Sequence, residues 1–502
     1  MSNIEVKNLT FGYDSQGTLL FDQANLNIDS SWKLGLIGRN GRGKTTLMRL
    51  LQGQLPYQGQ ITKQLDFTYF PQTIANPDQL TFYAIQEISD AEQWEIEREL
   101  NLLGVDPDIL WRQFASLSGG EQTKVLLALL FINETDFPLI DEPTNHLDMT
   151  GRQQVADYLN KKQQGFIVVS HDRHFVDSVT DHIMSIEKSQ ILLYQGNFAT
   201  YEAQKKLNDD FEQQQNAKLK KNISRLQQSA AKKASWSNSR EADKHHQRTA
   251  RVDNEQRSVD KGFIGSRAAK MMKRSKNIAQ RMNNEIADQE KLLKDIEYID
   301  PLTMAFQPAH YQNPLIIKEV QLSYDEQWLF KPLSFDLKVH QRLAITGPNG
   351  AGKSSLIQAI LQQFTGNQRG SITYPKQLPI SYVRQNYEDN RGSLAEFAEK
   401  NQLNMQDFLN NLHKLGMERR VFNNKIENMS MGQRKKVELA KSLSQPAALY
   451  IWDEPLNYLD VFNQEQLENL IQEVQPTMLI IEHDRDFIDK VATDQSKLEP
   501  AD

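Results

Sequence analysis

The chain has 502 residues, 39% hydrophobic and 25% charged, which suits a soluble globular class with room for about three domains. It contains no cysteine, which excludes disulfides, thiolate zinc modules and iron–sulfur clusters and suits a reducing cytosol. The net charge of −7 hides a segregation: Lys205 to Met282 holds 20 Lys/Arg against 8 Asp/Glu, a local +12 that leaves −19 on the remainder.

Residues 1–203 read as a first unit. Met1 to Asn8 lacks a basic-then-apolar signal layout, and the longest apolar run, Val125 to Ile132, is far short of the ~20 residues of a membrane span, so no membrane domain is expected. Ile4 to Leu9 alternates like an edge strand. The apolar Leu34 to Ile37 then runs into Gly38-Arg39-Asn40-Gly41-Arg42-Gly43-Lys44-Thr45, which fits the glycine-rich phosphate loop G-x-x-x-x-G-K-[ST], and Thr45 to Leu51 reads as a helix. In that context the glycines let backbone N–H groups converge on phosphate oxygens. Lys44 reaches the β- and γ-phosphates, and Thr45 suits Mg²⁺. Phe137 to Ile140 and Phe166 to Val169 read as strands of a buried parallel sheet. The first ends in Asp141-Glu142: the first acid suits Mg²⁺ and the second suits polarising an attacking water. Ile183 to Tyr194 forms a further pair of extended runs.

Residues 204–300 change character. No proline occurs between Pro143 and Pro301, and Lys, Gln, Ala and Asn dominate. The pattern predicts two long polar helices forming a hairpin. Its break lies around Ala242 to Gly265, with the tip near 243–262, and the second helix spans Ala268 to Tyr298. A solvated, salt-bridged helix is the usual reading of a charge run. An excess this one-sided, inside an acidic chain, points instead to a polyanionic partner.

Residues 301–502 repeat the first unit. Gly347-Pro348-Asn349-Gly350-Ala351-Gly352-Lys353-Ser354 is a second phosphate loop, offset by 309, and Asp453-Glu454 closes a second apolar strand, offset by 312. Leu117-Ser118-Gly119-Gly120-Glu121-Gln122 recurs as Met429-Ser430-Met431-Gly432-Gln433, and His171 recurs as His483, both offset by 312. One glycine turn with a structural lysine, or one acid capping a strand end, is ordinary. Two complete sets in the same order are not.

Leu117 to Gln122 resembles the signature of ATP-binding cassette domains. The resemblance implies an α/β fold, two tandem cassette-type phosphate-loop domains joined by a long α-helical hairpin linker, and an ATPase using ATP and Mg²⁺. It implies Gln72 and Gln385 as Q-loops, Asp148 and Asp460 as D-loops, and His171 and His483 as switch histidines that act with Glu142 and Glu454 in catalysis. Tyr13 and Tyr324 sit where the family stacks an aromatic on adenine, although core packing explains a lone tyrosine as well. Cassettes of this family pair head to tail, here within one chain that would act as a monomer. The first ATP site would join Gly38, Asn40, Gly41, Gly43, Lys44, Thr45 and Thr46 to Ser430, Gly432 and Gln433. The second would join Gly347, Asn349, Gly350, Gly352, Lys353, Ser354 and Ser355 to Ser118, Gly119, Gly120 and Gln122. The implied Mg²⁺ ligands are Thr45, Gln72 and Asp141 in one site, and Ser354, Gln385 and Asp453 in the other. Met431 replaces a signature glycine, so the first site is expected to be the weaker catalyst.

Two cassettes, no membrane domain and a basic linker resemble the ABC-F family, and the motifs cover essentially the full length. Asp260 to Gly265 with Arg267 to Arg274, the altered signature, and Ile451 to Asp460 are similar to the Lsa type of antibiotic-resistance members. That resemblance implies a cytoplasmic, ribosome-associated protein that binds the 70S ribosome at its E site, with the linker directed at 23S rRNA and the P-site tRNA. The implied outcome is protection from lincosamides, pleuromutilins and streptogramin A compounds. With 46 residues from Gln72 to Ser118 and 45 from Gln385 to Ser430, no inserted arm is expected, nor a C-terminal extension. A housekeeping translation factor of the same family, a transporter ATPase subunit and a DNA-associated cassette ATPase remain open at this point.

Overall fold

Short apolar runs flanked by glycine loops become parallel strands buried on both faces, because only side chains on both sides of the sheet can cover them. The computed structural model of the chain describes residues 3–13, 19–133, 135–145, 147–246, 280, 301–325 and 327–501. In the first cassette the strands are β1 (Asn3–Phe11), β2 (Phe21–Asp29), β3 (Lys33–Ile37), β4 (Gln58–Thr62), β5 (Phe67–Phe70), β6 (Phe137–Asp141), β7 (Phe166–Val169), β8 (His182–Glu187) and β9 (Gln190–Gln195). They form a three-stranded antiparallel sheet, β2-β1-β4, and a six-stranded sheet, β5-β6-β7-β3-β8-β9, parallel except for the β8–β9 hairpin. The second cassette repeats this with β10 (Leu315–Ser323), β11 (Leu333–Leu337), β12 (Arg342–Thr346), β13 (Asn367–Thr373), β14 (Ile380–Val383), β15 (Leu449–Asp453), β16 (Met478–Ile481) and β17 (Asp494–Lys497). Their orders are β11-β10-β13 and β14-β15-β16-β12-β17. Among the described residues the second large sheet has no strand equivalent to β9.

Period-two alternation divides each cassette into two cores. On β6, Phe137 and Leu139 pack towards the antiparallel sheet while Ile140 packs among the helices; on β7, Ile167 and Val169 face the first way and Phe166 and Val168 the second. On β15, Leu449 and Ile451 oppose Tyr450 and Trp452 in the same manner. Burying a Leu, Ile or Phe side chain is worth about 1.5–3 kcal/mol, so these alternating rows fix the register of the strands that carry the site.

One expectation is corrected. The run Ile4 to Leu9 belongs to the middle strand of its sheet, paired with β2 on one side and β4 on the other. Alternation reports that one face is buried and the other wet. It does not report whether the strand's edges are paired.

The chain divides into two compact units, Met1–Tyr201 with Ile299–Asp502, and Glu202–Tyr298. The first part of the basic segment lies in a continuous helix, Phe198–His246. The helix expected from Ala268 to Tyr298 (Gln280 apart) and the tip beyond residue 246 lie outside the described residues. No helix among the described residues is long and apolar enough to cross a membrane.

Candidate active sites

Each phosphate loop runs from a central parallel strand into a helix, β3 into Lys44–Leu51 and β12 into Lys353–Ile360. The residue capping each helix is a glycine in the left-handed region, Gly43 at φ 99° and Gly352 at φ 89°. A Cβ at Gly43 would meet the Phe21 ring at 3.1 Å, so both conformation and space require glycine. Lys44 and Lys353 are buried and curl back over their loops. The Lys44 ammonium donates to Gly38 O at 2.7 Å and Asn40 Oδ1 at 3.3 Å; that of Lys353 donates to the carbonyls of Gly347 at 2.8 Å and Pro348 at 2.9 Å. Burial lowers both pKa values, and the neighbouring acids pull them back up.

The acidic strand ends lie beside the loops. Thr45 Oγ1 donates to Asp141 Oδ2 at 2.8 Å, and Ser354 Oγ to Asp453 Oδ2 at 3.0 Å. Tyr69 donates a second hydrogen bond to Asp141 Oδ2 at 3.0 Å. Glu142 and Glu454 follow their strands in the left-handed region, at φ 55° and 48°, which costs about 1–3 kcal/mol for a non-glycine residue. Their N–H groups donate to Val169 O and Ile481 O on the neighbouring strands, which holds the turn in place. His171 Nε2 stands 3.3 Å from Glu142 Oε1, and His483 Nε2 stands 3.8 Å from Glu454 Oε1. Burial and the Asp141 charge push Glu142 up to about 8. Burial and the Glu454 charge push Asp453 up to about 6. Each acidic pair therefore holds one carboxyl that resists ionisation, as two close carboxylates must. Burial and the nearby lysines Lys44 and Lys353 lower His171 to about 3 and His483 to about 4, so both imidazoles are neutral at pH 7.

Asp453 Oδ1 and Gln72 Oε1 are buried without a hydrogen-bond partner. Together with the Thr45 and Ser354 hydroxyls they are hard oxygen donors of the kind Mg²⁺ selects. Among the described residues no group of three or more His, Cys, Asp or Glu could hold a metal alone. The donor set therefore fits an ion completed by phosphate oxygens and water.

The two cavities differ. The second, of 760 Å³, is bipartite: Lys353, Ser354, Gln385 and Glu454 form one wall, and Ser118, Gly119, Gly120 and Asp148 of the other cassette face them. The first, of 510 Å³, is lined from its own cassette alone, including Tyr13, Gly41, Lys44, Asp141, Glu142 and His171. Its partner signature stands close by, since a Cβ on Gly432 would lie 3.6 Å from Asn40 Nδ2. Tyr13 and Tyr324 reach their cavities with hydroxyls 3.2 Å from Thr46 Oγ1 and 3.1 Å from Ser355 Oγ.

The side chains of Gln122 and Gln433 hydrogen-bond within their own cassettes. Gln122 Nε2 donates to the carbonyls of Phe114 and Leu117, and Gln433 Oε1 accepts the Ser430 N–H. Ser118 with Glu121, and Ser430 with Gln433, form reciprocal capping boxes, so each signature serine also terminates its helix. Ser430, Gly432 and Gln433 do not wall the first cavity. Two side chains bonded to the acidic pairs that the sequence reading did not single out are Tyr69 and Asn457. Asn457 Nδ2 donates to Glu454 Oε2 at 2.6 Å, and its recurrence as Asn145 at the common offset was a signal available in the repeat.

The two cassettes touch directly. Arg173 pairs with Glu468 at 3.3 Å and donates to Val461 O at 2.8 Å, and Gln464 Nε2 donates to His171 O at 3.0 Å.

The ABC transporter family model matches residues 21–145 and 330–457, half of the chain. Ribosome protection protein VmlR of Bacillus subtilis (strain 168) is 29% identical, covering 98% of this chain and 86% of its own length. Erythromycin resistance ATP-binding protein MsrA of Staphylococcus epidermidis is 28% identical over 94% of each. Among solved structures, the complex of archaeal ribosomal stalk protein aP1 with ribosome recycling factor aABCE1 matches at 17% identity and TM-score 0.64. That match covers 98% of this chain and 87% of the other, and it supports the tandem-cassette fold. The chain thus belongs to the ABC transporter family, and within it is an ATP-hydrolysing enzyme of the ABC-F type.

Proposed function

We propose that this ATPase is a ribosome-protection factor. In its ATP-bound form it binds the 70S ribosome at the E site, directs the 204–300 segment at 23S rRNA and the P-site tRNA, and protects the large subunit from lincosamides, pleuromutilins and streptogramin A compounds. The observation that carries the reading is the match to a ribosome protection protein across nearly the whole chain, basic segment included. The likeness to an erythromycin-resistance ATP-binding protein supports it from a second side. The +12 segment suits rRNA and tRNA, whose phosphates and shape are read with little sequence dependence, so binding weakens as salt rises.

In this reading Lys44 and Lys353 hold the phosphates, and Glu142 and Glu454 orient and polarise the attacking water. Thr45, Gln72 and Asp141 would hold Mg²⁺ in the first site, and Ser354, Gln385 and Asp453 in the second. Bound Mg²⁺ would supply charge neutralisation at the phosphate oxygens and the strand-end aspartate. The neutral imidazoles of His171 and His483 can then offer a hydrogen bond beside each glutamate without adding charge. ATP draws the cassettes together, and hydrolysis lets them part.

Protein carrying both Glu142→Gln and Glu454→Gln should co-sediment with ribosomes when ATP is present and not when it is absent. Expression of the unaltered chain in a drug-sensitive strain should raise the inhibitory concentrations of lincomycin and tiamulin. Failure of sedimentation defeats the ribosomal reading; sedimentation without a drug phenotype leaves a translation factor instead.

A further inference from the structure

Glu454 is anchored at three separate atoms. Its N–H donates to Ile481 O at 2.9 Å, its Oε2 accepts from Asn457 at 2.6 Å, and its carbonyl oxygen accepts from the Lys435 ammonium at 2.7 Å. Lys435 lies near the start of the signature helix Met431–Ser444 and is 1% exposed. Its Nζ stands 5.5 Å from the centre of the Tyr387 ring, within the field of Glu482, Asp453, Glu438 and Glu454. An apolar residue would fill this space at lower desolvation cost, so a buried lysine aimed at one backbone carbonyl calls for another explanation.

The repeat supplies the contrast. The position 312 residues earlier is Thr123, whose side chain is too short for the same span, and the Glu142 carbonyl accepts instead from the Asn145 N–H at 3.3 Å. Both glutamates occupy the left-handed region, where the backbone holds only if its neighbours over-determine it. In the second cassette the lysine is one of those neighbours.

We propose that Lys435 is a positioning residue for Glu454, fixing the left-handed turn that aims its carboxylate into the second ATP site. The inference rests on the role given to Glu454 above. It specifies that the second site has a device the first lacks.

The test reads each site separately, in Glu142→Gln protein for the second and Glu454→Gln protein for the first. In the Glu142→Gln background, Lys435→Met should lower kcat about tenfold with KM for ATP changed by less than about twofold, the pattern of a misaimed group rather than a lost binding contact. In the Glu454→Gln background the same change should leave turnover within about twofold. Lys435→Thr, which installs the residue of the first cassette, should behave alike and guards against a poorly folded Met variant, with thermal unfolding as the check. Equal losses in both backgrounds, a rise in KM alone, or an unchanged kcat in the first background would each overturn the proposal. Should Glu142→Gln silence both sites, the comparison is read in otherwise unaltered protein, where Lys435→Met must lower kcat and Thr123→Val must not. Residual turnover in the Glu142→Gln, Glu454→Gln double variant would instead indict the glutamate assignment itself.

Discussion

The backbone amide of Asn40, in the phosphate loop of the first cassette, donates to Asp460 Oδ2 of the second cassette at 2.8 Å. The same asparagine's side chain donates to Tyr458 O at 3.0 Å, so the loop is tied to its partner through both backbone and side chain. The buried Arg173–Glu468 pair reinforces this side of the interface. At the common offset the counterparts are Arg485, which is exposed, and Ala156, which cannot pair. The second side carries Asn349 and Asp148 at the positions of Asn40 and Asp460, so the Arg173–Glu468 pair is the part of this contact that the repeat does not duplicate.

Asp460→Asn tests the Asn40 contact. The substituted side chain can still cap its helix at the Asn463 N–H through Oδ1, but it turns an amide donor towards the Asn40 N–H. A hydrogen bond to a charged group is worth about 1.5–3 kcal/mol, so hydrogen exchange of the Asn40 amide in nucleotide-free protein should quicken about tenfold or more. Unchanged protection across residues 38–43 would show that the loop does not depend on Asp460.

The acidic pairs set a pH dependence. Glu142, raised by burial and by Asp141 from 4.5 to about 8, keeps a proton in the folded, nucleotide-free protein that the unfolded chain has released. Folding stability present below pH 4.5 is thus lost as pH rises, until the loss is complete above about 8. Asp453 adds a loss of the same sign between 3.8 and about 6. His171 and His483 act oppositely: their depressed values remove stability as pH falls below 6.5 towards about 3 and about 4. Glu142→Gln, neutral throughout, should raise the unfolding midpoint relative to the parent at about pH 8.5 and much less at about pH 5. A difference that stays constant across that range would contradict the raised carboxyl.

These particulars show what the sequence could convey. Loop and acid pair were legible because each is a local pattern with its own chemistry, and the repeat doubled both; the histidines were singled out by their order in the repeat and by the family resemblance. The capping boxes were equally legible, since Ser118 and Ser430 precede Glu121 and Gln433 at the three-residue spacing of that motif. Gln433 was read as a nucleotide ligand through the family resemblance, and in the structure its Oε1 accepts the Ser430 N–H of the capping box. The Arg173–Glu468 pair spans 295 residues and recurs nowhere at the common offset, so nothing in the chain order could have linked its members. Lys435 failed for a related reason: Lys435, Lys436 and Lys441 are all buried on one helix, and composition does not reveal which ammonium reaches the Glu454 carbonyl.

Met431 and Gly432 give the sharpest contrast between neighbours. Met431 opens the second signature helix and is 38% exposed, whereas a Cβ on Gly432 would meet Tyr458 O at 3.1 Å and Asn40 Nδ2 at 3.6 Å. The first is a side chain partly open to solvent; the second faces the Tyr458 carbonyl of its own cassette and the Asn40 side chain of the partner loop. Met431→Gly should therefore raise turnover at the first site about two- to tenfold in the Glu454→Gln background, if crowding by a side chain is what weakens it. Gly432→Ala should act in the other direction. It presses on the Tyr458 carbonyl that accepts from Asn40, and should lower first-site turnover about tenfold while leaving the second site, measured in the Glu142→Gln background, nearly unchanged. Were Met431→Gly to leave first-site turnover unchanged, crowding by that side chain would be ruled out as a brake on the first site.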